Sequence, residues 1–169
     1  MSDDQDRDTA LARAVGLREH GSAAEARPLL LALSDQYPAD TEIAYQTAWV
    51  HDVLGLEAEA VPFYERALAD EGLTAEDRHG AFLGLGSTYR VLGRYEEAVT
   101  RLRRGLEEFP GDPALRAFLA MALYNVGEAR EAVRTLLEIV AATSADARVQ
   151  GYRRAIEHYA GDLDAVEGY

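Results

Sequence analysis

The sequence predicts an all-α chain built from repeated helix pairs, and three observations carry that prediction. In 169 residues Ala occurs thirty times and Ile three times, a balance that favours helix over strand. Five glycines, Gly21, Gly55, Gly93, Gly127 and Gly161, are separated by 34, 38, 34 and 34 residues. After each of the first four, the same pattern returns. Ala26, Ala60, Ala98 and Ala132 stand five places on, then Leu30, Tyr64, Leu102 and Leu136, then Leu33, Ala67, Gly105 and Ile139. Offsets of four and three put these side chains on one helical stripe. Each stripe is predicted to be the buried face of a second helix entered through a glycine turn.

The first helix of each pair reads the same way upstream of its glycine. The third unit has Phe82, Leu85, Gly86 and Tyr89; the fourth has Arg116, Leu119, Ala120 and Leu123; the second has Ala44, Thr47, Ala48 and His51. The small residues Ala48, Gly86 and Ala120 mark where the two helices of a pair cross closely. Tyr37-Pro38 and Phe109-Pro110 end second helices, since proline cannot continue one. Helix starts are expected at Asp40-Thr41, at Thr74 through Asp77 as a capping box, at Asp112-Pro113 and at Ser144. The repeats then run over about 9–40, 41–73, 74–111 and 112–144, within one domain over 9–169 behind an acidic tail at 1–8. The 38-residue spacing holds four residues more than its neighbours, around Leu73–Arg78. They make either one further helical turn, which leaves the apolar face nearly unrotated, or a longer loop. A last helix, from Ser144 to about Ala160, and a stub fill 145–169. Val149, Tyr152, Ile156 and Tyr159 form its apolar stripe, continued by Leu163, Val166 and Tyr169.

The 34-residue period, with Phe82-x2-Leu85-Gly86-x2-Tyr89 followed by Ala98, Leu102 and Pro110, resembles the tetratricopeptide repeat. The likeness covers nearly the whole chain and is similar to that of small bacterial members of the family. It implies a right-handed superhelix of about four antiparallel helix pairs with a C-terminal capping helix, acting as a non-catalytic protein-interaction module in the cytoplasm. It departs at Ala10 and at Arg116, where larger apolar residues are usual.

Composition narrows the function further. The chain has 17 Arg, no Lys and 30 Asp plus Glu, a net charge of −13. That disfavours binding to nucleic-acid phosphates and to anionic membrane surfaces. No Cys is present, which excludes disulfides and thiolate chemistry. Apolar runs such as Leu29–Leu33 are far short of the roughly 20 residues that span a bilayer. The N-terminal residues are acidic, unlike a secretory leader, which points to the cytoplasm. His20, His51, His79 and His158 lie singly, without a second ligand at metal-site spacing. Gly84-Leu-Gly86 falls inside a predicted helix, where no free amides wait for a phosphate. No catalytic residue, metal or cofactor is expected.

In the family's arrangement the first helices line a concave groove, and the residues between core places face it. These are Leu11, Val15 and Arg18; Tyr45, Trp49 and Asp52; Leu83, Ser87 and Arg90; and Met121, Tyr124 and Asn125. Aromatic anchors with one Arg and one Asn suit a peptide or protein segment. Trp49 has two readings, a groove anchor or a side chain packed between neighbouring first helices. Without Lys, the family's carboxylate clamp does not carry over. The alternative function is a self-associating structural protein, a homodimer through the groove or through Tyr152, Ile156 and Tyr159.

Overall fold

A computed structural model describes residues 2–166. Among these residues it contains ten α-helices and no strand. They are α1 (Ser2–Glu19), α2 (Ala23–Gln36), α3 (Thr41–Val53), α4 (Glu57–Ala67), α5 (Ala75–Val91), α6 (Tyr95–Glu108), α7 (Pro113–Asn125), α8 (Ala129–Thr143), α9 (Ala147–Gly151) and α10 (Arg153–Gly161). The chain divides into two compact units, Met1–Gly93 and Arg94–Tyr169, so that α5 belongs to the first and α6 to the second. In the first unit α1 packs on α2, α3 on α4, and α5 on α4 and α3. In the second α7 packs on α6 and α8, and α10 on α8.

The glycine spacing is the spacing of turns. Gly21, Gly55, Gly93 and Gly127 have φ between +70° and +88°, a left-handed conformation that side-chain-bearing residues adopt only with strain. Gly161 does not share it; that glycine keeps the period and simply ends α10. Helix starts follow their caps. The Ile43 N–H donates to Asp40 Oδ1 at 3.0 Å, the Asp77 N–H to Thr74 Oγ1 at 3.1 Å, and the Leu115 N–H to Asp112 Oδ1 at 2.8 Å. The apolar stripes of α2, α4 and α6 are buried, as are the first-helix places from Ala44 to His51 and from Phe82 to Tyr89.

The four additional residues of the third repeat are helical. α5 has 17 residues where α3 and α7 have 13, and the extra turn stands at its N-terminus, Ala75–Arg78. Two expectations need correction at the chain's beginning and its far end. Residues 1–8, read as a tail, are helical from Ser2, and Arg7 ties that turn to the start of α3. Its Nη2 donates to Asp40 Oδ2 and to Glu42 Oε2, both at 2.7 Å. The helix expected from Ser144 to about Ala160 is broken. Ser144 ends α8, Asp146 caps α9, and Tyr152, at φ −106° and ψ 7°, separates α9 from α10. The break leaves α8 without a full-length covering helix. Leu136, placed on the buried face by the repeat pattern, is 43% exposed, with Val133 and Val140 alike on either side. Tyr169, the last residue of the expected stripe, lies outside the described residues.

Candidate interaction surface

Three of the expected surface residues stand on α3, held by different amounts of burial. Tyr45 is buried, and α5 makes room for it with glycine. A Cβ at Gly80 would collide with the Tyr45 hydroxyl, and one at Gly84 with the hydroxyl of Tyr64. Burial, with Asp77 as a second cause, pushes the Tyr45 phenol up to about 12. Trp49, one turn further on, is 38% exposed, its ring centroid 5.6 Å from that of Tyr45. The Arg18 guanidinium lies 3.5 Å above the Trp49 ring, and Arg18 itself is buried. Burial lowers the pKa of Arg18, opposed chiefly by Glu19, whose carboxylate lies 3.7 Å away. One side of Trp49 is thus packed against a cation, while part of the residue stays exposed.

Asp52, also expected to face a ligand, is half-buried and serves an internal network. It accepts from the Tyr64 hydroxyl at 2.7 Å and from Thr88 Oγ1 at 2.9 and 3.1 Å, joining α3, α4 and α5. Burial raises its pKa, and the two hydroxyl donors hold it down. Leu83, Ser87 and Arg90 are half-buried along α5. Within the second unit, α7 carries Met121 and Tyr124 exposed and Asn125 half-buried. Tyr152 and Tyr159 are exposed, whereas Ile156, between them in sequence, is half-buried.

A second feature of the first unit was not legible in the repeat pattern. An open cleft of about 530 Å³ lies between α1 and α3 and reaches the extra turn of α5. Leu11 and Val15 line it from α1, Glu42 and Gln46 from α3, and Asp77 from α5. The 38-residue spacing was the available signal, because the added turn is what carries Asp77. Among the described residues no three His, Asp or Glu gather in a metal-holding group. Nor is any helix there long and apolar enough to cross a membrane.

Antiparallel helix pairs recurring at about 34 residues are the unit of a helical-repeat protein. The Tetratrico peptide repeat family matches residues 41–163, and the chain belongs to it. Members of this family are in general non-catalytic modules that bind proteins or peptides. No curated protein sequence matches the chain. Among solved structures, MamA 41-end from Desulfovibrio magneticus RS-1 is similar over 92% of this chain and 89% of that one. Its TM-score is 0.71 at 16% identity. The structure titled MamA AMB-1 C2221 is similar over 94% and 98%, with a TM-score of 0.62 at 22% identity. At these identities the likeness is one of fold.

Proposed function

We propose that the chain is a non-catalytic interaction module that takes a peptide or protein segment on the faces of its first helices. The observation that supports this best is Trp49. An indole that is 38% exposed, yet fixed by a stacked guanidinium and a tilted tyrosine, presents rigid apolar area at little entropic loss. Tyr45 braces that indole from within. Leu83, Ser87 and Arg90 extend the surface along α5, and Met121, Tyr124 and Asn125 offer a second surface on α7. Asp52 holds helices together in this reading and contacts no partner. The test is capture of a partner from lysate of the source cells, repeated with Trp49→Ala. Captured material should fall by about tenfold or more if Trp49 is a hot spot. The melting temperature should change only modestly, because the indole is not core. Undiminished capture by Trp49→Ala would refute the assignment.

A second reading is self-association through the C-terminal end. It draws on the exposed stripe Val133, Leu136 and Val140 of α8 and on the exposed Tyr152 and Tyr159 that follow it in the chain. Solenoid ends are reusable stacking surfaces, and two-fold pairs are the commonest closed assemblies.

A further inference from the structure

We propose that the cleft between α1, α3 and the first turn of α5 binds a cationic segment of a partner protein, a lysine or arginine flanked by apolar residues. This rests on the interaction reading above and adds the partner's chemistry.

The cleft wall carries more acid than base. Asp8, Glu42 and Asp77 line it, and Arg7 is the cation among them. Arg7 is divided over Asp8 at 2.8 Å, Glu42 at 2.7 Å and Asp40 at 2.7 Å, the last just outside the cleft. One guanidinium shared among three carboxylates leaves negative charge over, and Asp77 adds to it. The extra turn of α5 brings Asp77 there; a first helix of the length of α3 or α7 would not reach so far.

Charge alone would attract any cation, but the cleft also holds a specific acceptor. Gln46 lines it and is 93% buried, its exposure being 7%. Its Oε1 is buried and has no hydrogen-bond partner among the described residues. A buried carbonyl oxygen left unpaired is unfavourable, and only a donor can satisfy it. Brought to the cleft by a turn of the amide, it is satisfied by a backbone N–H or a cationic N–H of a bound segment. Leu11 and Val15 provide the apolar wall along which the aliphatic stem of a lysine or arginine lies, its head among the carboxylates. Acceptor, acids and apolar wall together select a basic, partly apolar segment. A second copy of this chain is a poor occupant, having no lysine and a net charge of −13.

The test uses the full chain and two labelled synthetic peptides, acetylated and amidated: Gly-Leu-Lys-Val-Lys-Leu-Gly and the same sequence with glutamate for lysine. Fluorescence anisotropy should give the lysine peptide at least about tenfold tighter binding than its glutamate twin. Gln46→Leu, which removes the acceptor without changing charge, should weaken the lysine peptide by roughly tenfold, and Asp77→Asn by a similar factor. Glu59→Gln, an identical loss of charge at an exposed residue of α4, should leave binding within about twofold. Should Gln46→Leu fail to fold by circular dichroism, Glu42→Gln probes the same wall. The proposal is overturned if the cleft variants bind as the parent does, if Glu59→Gln weakens binding equally, or if the lysine peptide does not bind. Binding that is lost in Trp49→Ala but untouched in the cleft variants would overturn the cleft and leave the interaction reading standing.

Discussion

Gly80 and Gly84 set how closely α5 approaches its neighbours, because the hydroxyls of Tyr45 and Tyr64 occupy the space where their Cβ atoms would be. Gly80→Ala and Gly84→Ala should each destabilise the chain by about 1–3 kcal/mol in urea unfolding, since the obstacle is a buried ring with little room to move. Gly16, inside α1 with nothing within 4 Å of its missing Cβ, is the counterexample. Gly16→Ala should stabilise by about 0.5–1 kcal/mol through helix propensity alone. The buried phenols also give stability a sign at high pH. Tyr45 is raised from 10.0 to about 12, so the folded state keeps its proton where the unfolded chain would lose it. Its contribution is fully present below pH 10 and is lost as pH rises from 10 to about 12. Tyr64 is raised further by burial and by Asp52, which works in the same direction. Unfolding free energies measured across that alkaline window should fall more steeply for the parent than for Tyr45→Phe. Parallel curves would show that Tyr45 is not desolvated.

α5 is the element whose length departs from the repeat, and its extra turn can be removed as a unit. Deleting the four residues 75–78 should leave a folded chain of somewhat lower stability, because about one turn keeps the apolar face in register. Deleting two should rotate Phe82, Leu85 and Tyr89 by roughly 200° away from α3 and α4 and be far more damaging in thermal melts. Equal losses would mean that register along α5 does not matter. Much of this scale was readable beforehand. Glycine turns, caps at Asp40, Thr74 and Asp112, and second-helix stripes are local features, written in spacings of three to five residues. What was not readable depends on distant partners. Asp52 looked available for a ligand because Tyr64 and Thr88, 12 and 36 residues away, could not be seen to bond it. Arg18 looked groove-facing because its stacking on Trp49 joins two helices. The break at Tyr152 carries no proline and no left-handed glycine, and a continuous stripe of Val149, Tyr152, Ile156 and Tyr159 was the natural reading. The exposure of Leu136 is likewise announced by no pattern inside α8.

Over the whole molecule, a net charge of −13 opposes the apolar surface left open on α8. Val133, Leu136 and Val140 lie one helical turn apart and are each 43–44% exposed, an area that association of two copies would remove from water. Like-charged copies repel over about a Debye length, roughly 30 Å at 0.01 M salt and 8 Å at 0.15 M. Screening should therefore decide the outcome. Sedimentation equilibrium should find monomer at low salt and a growing dimer fraction as salt is raised, the reverse of an assembly held by ion pairs. Leu136→Glu places a charge in the middle of the stripe and should return the chain to monomer at every salt concentration. Because Leu136 is already partly in water, the substitution should lower the melting temperature only slightly. Binding of the lysine peptide at the first unit should meanwhile run the other way, weakening as salt screens the cleft acids. A parent chain that stays monomeric at high concentration and 0.5 M salt would remove self-association and leave the α8 stripe as solvent-facing surface.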